Sequence, residues 1–435
     1  MITHFLSATL CLWLFATSSF GADTSWPQFR GPSGTGKAEN VDPPTTWSET
    51  TNVAWKTAIP GRGYSSPVIR DERVWLTTAM ETNTRKTQIE GQPRFISDHI
   101  TLKLISLDMK TGKIDKNITL FDLDKPDPTH VLNSYATPTP VVETERIYCD
   151  FGTYGTACVD TKSGRILWKR RLIIDHQVGP GSSPAVYKNL LIVIRDGREV
   201  QYLAALDTTT GKTTWKTDRP PLAPVAKTDL KKSFSTPTFY HHAGQDRVTA
   251  PSAQWLTAYD PATGEEIWRA NHGKGFSISV QPAVGNGMVY YCTGFGGNFL
   301  RAVRIDGKGD VTKSHVAWNS KRWVPTIPSP LLLDKELYWI ADAGIACCAD
   351  AVSGEIIWHK SLHGRFRASP IYAGGKLYFA STKGKCSILE PGREFKLLAT
   401  NDIAEAEVTA SPAFIDRSIV LRTHRHLYHI VNATP

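Results

Sequence analysis

One short pattern returns eight times along the chain: small or hydroxyl residues, a proline, then a run of apolar residues. It reads Tyr64-Ser-Ser-Pro67, Tyr135-Ala-Thr-Pro138, Gly181-Ser-Ser-Pro184 and Phe234-Ser-Thr-Pro237 in the first half. It returns as Val280-Gln-Pro282, Ile327-Pro-Ser-Pro330, Ala368-Ser-Pro370 and Ala410-Ser-Pro412 in the second. Self-similarity at a period of roughly 40–50 residues constrains the architecture more than any local propensity, because each unit must bury its apolar faces against its neighbours.

Each unit carries a second mark downstream of the proline, an Asp-x-x-Thr/Ser-Gly turn usually followed by Trp. The clearest copies start at Asp160, Asp260 and Asp350 and end on Trp168, Trp268 and Trp358. Asp207 and Trp215 keep the same spacing, and Asp108 opens the turn without the Trp. Asp bonds its own backbone two residues on, and Gly supplies the left-handed position that closes the turn. Between the two marks lie hairpins, such as Glu336 to Ile340 and Ile345 to Asp350 around a Gly-containing turn. Four strands per unit, repeated eight times, predict an all-β, eight-bladed β-propeller of four-stranded antiparallel blades. The last unit ends after Ile430-Val431 without its fourth strand, while Asn52 to Thr57 is an unattached copy of it. The expected solution is a ring closed by the N-terminal strand, which removes the open edge.

Around this ring the sequence divides into a signal peptide over residues 1–21, an extended segment over 22–51, the propeller over 52–431 and a tail over 432–435. The first stretch is apolar, with Ser19 and Gly21 at the cleavage end, but it lacks Lys and Arg. Cys11 has no lipobox around it, and no other run is long enough to span a bilayer. The expected location is therefore the periplasm or the exterior. A net charge of +9 is spread without a basic stripe, which argues against nucleic acid. The Trp at the repeat position, Trp55, Trp168, Trp215, Trp268, Trp318 and Trp358, are read as inter-blade packing.

No catalytic or metal-ligating residue is assigned. The chain has no Gly-x-Ser-x-Gly, phosphate-binding Gly loop or His-Glu-x-x-His motif. His424 and His426 fall where a solvated turn is expected. Export permits disulfides. Counting outward from the loop at Gly152 to Gly155 sets Cys149 opposite Cys158, the candidate disulfide; two free thiols are the other reading, since directly opposed positions strain the bond. Cys347-Cys348 reads as a pair of small buried hydrophobes. The segments just before the proline marks are often basic. Arg62, Lys232, Lys274, Arg322, Arg365 and Arg367, with Tyr64 and Trp323 among them, are expected to ring one channel mouth. Such a mouth would hold an anionic small molecule or an acidic loop. Three departures from the repeat, at residues 80–98, 121–133 and 220–232, are expected to be surface loops that contact partners.

Proline-marked strands, Asp-x-x-Thr-Gly turns and the following Trp resemble the pyrroloquinoline quinone (PQQ) repeat family of eight-bladed propellers. The opening Trp26-Pro-Gln-Phe-Arg-Gly-Pro32 is similar to the N-terminal signature of its exported members. The resemblance spans about residues 26–431 and implies one of two functions. The first is a non-catalytic, BamB-like scaffold that binds envelope proteins through its loops and needs no cofactor. The second is a PQQ-dependent dehydrogenase of alcohols or sugars, with a calcium-assisted quinone site. The chain lacks the extra length that carries cofactor loops in those enzymes, so the scaffold is the expected function.

Overall fold

The structure is a computed structural model that describes residues 24–403 and 407–432; the signal peptide expected over 1–21 and the last three residues lie outside the described residues. Among the described residues the chain forms eight consecutive antiparallel meanders of four strands, here blades 1 to 8. Blade 1 is Val68–Arg70, Arg73–Thr82, His99–Asp108 and Ile114–Asp124. Blade 8 is Ala413–Ile415, Ser418–Arg422 and His426–Val431, completed by the N-terminal strand Val53–Ala58. The ring closure expected from the orphan strand is thus present.

Burial follows position within the blade. Second strands are covered on both faces, as in Leu190–Asp196, where every residue is buried. Their near-continuous apolar runs are the sequence consequence. Outer strands alternate, as in Thr213–Asp218.

The two sequence marks turn out to be inter-blade joints. In the blade 3 turn, the Asp207 carboxylate accepts from the Thr210 amide (2.8 Å) and hydroxyl (2.8 Å), and Gly211 closes the turn at φ +69°. Trp168 of blade 2 lies over that glycine, so closely that an added Cβ would sit 2.6 Å from the indole, and it donates its ring N–H to the Thr208 carbonyl at 3.0 Å. The same joint recurs at Trp215 with Gly264, Trp318 with Gly354, and Trp55 with Gly112. The last of these docks the N-terminal strand of blade 8 onto blade 1. Trp268 departs from the pattern: its N–H goes to the Tyr240 hydroxyl, and Gly309–Asp310 pairs alongside its strand.

The hydroxyl before each proline forms the other joint. The Ser66 amide donates to Thr139 Oγ1 at 2.9 Å, Thr139 to Ser183 at 3.0 Å, and Ser183 to Thr236 at 3.1 Å. Across the ring, Gln281 donates to Ser329, Ser329 to Ser369 and Ser369 to Ser411, at 2.9–3.0 Å. Proline holds the preceding residue extended and has no N–H of its own. The amide before it is left to point at the next blade, where a short hydroxyl meets it. In blade 2 the residue in this collar is Thr139, so the repeat proline there is Pro140 and not Pro138. Ser183→Ala would leave the buried Thr139 amide without an acceptor. We expect a loss of about 1–3 kcal/mol, read as a lower urea midpoint at unchanged slope.

Alternation of strand direction puts the proline-bearing lead-in segments and the hairpins between second and third strands on one face, the mouth. The Asp-x-x-Thr-Gly turns lie on the other. Residues 26–42 cross that second face: Trp26 pairs with Ile69, the Pro27 carbonyl accepts from Val142, Arg30 Nη2 donates to the Pro330 carbonyl, and Lys37–Ala38 pairs with blade 7.

Candidate functional site

The axis of the ring holds a cavity of about 440 Å³. Its floor is Phe29, delivered by the crossing N-terminal segment, and the hydroxyl collar lines its waist through Ser66, Thr139, Ser183, Thr236, Ser369 and Ser411. Above the collar stand Tyr64, Phe234, Phe276 and Phe295, with Lys232 and Arg367 on the wall.

The insertion in blade 1 forms a roof. Arg85–Ile89 and Gln92–Ile96 make a hairpin, extended by Thr129–His130 from the blade 1–2 connection into a three-stranded sheet. Its tip spans the mouth. Glu90 accepts from Gln177 at 2.7 Å and lies 3.7 Å from Arg198, and Gln92 reaches Asp229 at 3.4 Å. Arg94 and His130 are directly paired in this sheet and so share a face. Gln92, two residues from Arg94, lies on that face also, and both Gln92 and His130 line the cavity. The three loops read as solvated in the sequence are therefore the roof and its latch.

Of the eight residues expected around the mouth, all lie on lead-in segments of the mouth face, but only Tyr64, Lys232 and Arg367 line the cavity. Lys232 is buried and is bonded to Asp229 and Gln177. Burial lowers its pKa, and the Asp229 hydrogen bond opposes that. Arg367 lies 3.7 Å from Glu407. Arg62 is spent on a two-pronged pair with Glu81 at 2.9 and 3.0 Å, over the Phe95 ring. Lys274, Arg322 and Arg365 are exposed and outside the lining, and Trp323 stacks on His359 with ring centroids 3.9 Å apart. The expected complete basic rim is thus reduced to two lysine and arginine side chains in the cavity wall.

Three further groups at the site carry no sequence signal. His130 is one; burial, then the cations Arg94, Lys232 and Arg367, push its pKa down to about 4, so it is neutral near pH 7. Arg94 is 1% exposed. His424, expected in a solvated turn, instead stacks on Tyr64 with centroids 4.8 Å apart and holds Glu407 at 3.1 Å.

The candidate disulfide is corrected. The ladder pairs Cys149 with Ala157 and Tyr148 with Cys158, so the two thiols point to opposite faces of blade 2, and all six described cysteines are free. Cys347 and Cys348 are buried thiols in separate core clusters. Asp229 is the one carboxylate among the cavity-lining residues, and it is already paired with Lys232. Among the described residues no three His, Cys, Asp or Glu side chains gather as a metal site. This donor set does not match the six to eight oxygens that calcium takes.

A family profile described as outer membrane protein assembly factor BamB matches residues 106–254 and 252–394. No curated protein matches the chain. Among solved structures, BamB from Moraxella catarrhalis is similar with 12% identity and a TM-score of 0.51, over 82% of this chain and 99% of that one. A quinohemoprotein alcohol dehydrogenase from Comamonas testosteroni is similar with 11% identity and a TM-score of 0.65, over 94% and 80%. A europium-containing methanol dehydrogenase gives 12% identity and 0.63, over 92% and 89%. At these identities the structural likenesses concern the fold alone.

Proposed function

Since the chain belongs to the PQQ-repeat family described as outer membrane protein assembly factor BamB, we propose that it is an exported, non-catalytic interaction module of the cell envelope. Its partners on this reading are outer-membrane assembly proteins, held through the loops of the mouth face. The observation that carries the reading is the apolar character of that face. Ile173 and Val200 are exposed there at 72% and 39%. Ile173 and Val200 lie on adjoining loops, tied by the Arg198 amide donating to the Asp175 carbonyl at 3.0 Å. Exposed apolar side chains rimmed by charge, here Arg170 and Arg171, are the usual mark of a protein contact. Among the described residues no helix is long and apolar enough to cross a membrane.

The second reading is a PQQ-dependent dehydrogenase of alcohols or sugars, by fold-level analogy with the two dehydrogenases. The cavity's donor set counts against it, and no chemical step is derived through a quinone.

A photocrosslinking residue at position 173 or 200, in cells that make this protein, separates the two. Adducts to an outer-membrane assembly protein, lost on Ile173→Asp with Val200→Asp, are the expected result. Absence of adducts, together with alcohol-dependent reduction of an artificial acceptor by protein loaded with PQQ and calcium, would establish the enzyme instead.

A further inference from the structure

The roofed cavity has its own chemistry, separate from the outer loops. Phe29 lines its lower end, and amide-to-hydroxyl bonds tie six of the eight seams at its waist. Its size falls within the range of small-molecule sites. Its upper half is aromatic, through Phe234, Phe276 and Phe295.

The charges in that upper half do not balance. His130, Lys232 and Arg367 line the cavity, and Arg94, outside the lining, pairs opposite His130 in the roof sheet and donates to the lining residue Gln92. Their nearest acids are Asp229, Glu90 and Glu407. Asp229 is the least exposed of them at 14%, and Lys232 holds it; Glu90 and Glu407 are 55% and 53% exposed and are shared with Arg198 and His424. Arg94 is left with a buried Nη1 that has no hydrogen-bond partner, its Nη2 going to Gln92 at 2.9 Å. A buried guanidinium N–H without an acceptor is costly, and an oxyanion is the acceptor that suits it best. His130 accepts the Leu132 amide at Nδ1 (3.1 Å), so its neutral ring carries the proton on Nε2 and can donate one further hydrogen bond to the same group.

We propose that this cup binds a small organic anion, a carboxylate or phosphate on a flat apolar body, without a metal ion. The anionic head lies beneath the roof among Arg94, His130, Lys232 and Arg367. The body lies in the aromatic upper half, over the collar.

The test is calorimetric titration of the full mature protein with benzoate, phenyl phosphate and benzamide, in EDTA. Benzoate or phenyl phosphate should bind at one site per chain, and whichever binds more tightly identifies the head group. The uncharged benzamide should bind at least about tenfold more weakly. Arg94→Gln and Arg367→Gln should each weaken the anion about tenfold or more, while Arg365→Gln, on the same face but outside the lining, should leave it unchanged. Equal binding of benzamide, or equal loss in Arg365→Gln, would overturn the proposal in favour of a plain apolar pocket or a diffuse surface field. In a parallel titration without EDTA, binding of PQQ with calcium by a protein that takes none of the three simple ligands would overturn it in favour of a quinone site. Should Arg94→Gln fail to fold, a crystal soaked in 4-bromobenzoate decides. A bromine peak in the cup supports the assignment, and peaks confined to the outer surface refute it.

Discussion

Arg195→Ala is expected to destabilise the ring by about 3–5 kcal/mol, a large share of the usual margin. Arg195 is fully buried at the end of a blade 3 strand, and it grips Asp150 of blade 2 with two prongs, at 3.0 and 2.7 Å. It also bonds Thr156 at 3.0 Å, and the Thr156 hydroxyl in turn donates to Asp150 at 2.7 Å. A related clamp sits at the next seam, where Arg219 grips Asp196 of its own blade 3 at 3.1 and 2.9 Å and reaches across to the Ala250 carbonyl of blade 4. Removing the guanidinium strands a carboxylate in a dry seam, and that penalty outweighs the net worth of the pair. The double variant Asp150→Leu with Arg195→Met removes both charges and should recover most of the loss. Urea unfolding followed by tryptophan fluorescence checks both. A double variant no more stable than Arg195→Ala would show that the side chains matter for their packing rather than their charge.

What was legible in the sequence was whatever depends on short range. The proline mark and the Asp-x-x-Thr-Gly turn are each built within about five residues, so the first gave the blade count and the second gave the place of Trp168 and Trp215. The orphan strand around Trp55 was legible for the same reason. Errors came where one residue of register matters. The hairpin turns over a short 3-10 segment, Gly152–Tyr154, with Asp150 opposite Thr156. Counting one residue out of step set Cys149 against Cys158, and a one-residue slip moves every side chain to the other face. Pro138 and Pro140 both follow a Thr, and only the bond from Thr139 to Ser183 says which belongs to the repeat. The site was the least legible part. Lys232 and Arg367 were reached because they sit beside repeat marks. Arg94 and His130 lie in polar insertions indistinguishable from solvated loops until the roof folds over the mouth. His424 owes its burial to Tyr64, a partner from the other end of the chain.

Ring closure carries the other large prediction. A chain starting at Gly61 lacks the outer strand of blade 8, the Trp55 joint to blade 1 and the segment that floors the cup. With it go Trp26 and Trp47, both nearly fully buried. Losing a buried Trp costs about 3–5 kcal/mol, so these two alone approach the whole stability of an ordinary domain. The bared strand His426–Val431 would also present an unpaired edge. We therefore expect the truncated chain to lose cooperative unfolding and to aggregate. The complementary construction is a circular permutant that starts at Gly61 and carries residues 24–60 after residue 432 through a flexible linker. Val53–Ala58 already pairs antiparallel with His426–Val431, with Val53 opposite Ile430, so the permutant restores every contact and changes only the order of the chain. It should unfold as a single transition, with a midpoint close to that of the parent. A permutant that fails while the truncated chain folds would mean that the ring is held by its other seven seams, and that the N-terminal strand is an accessory to it.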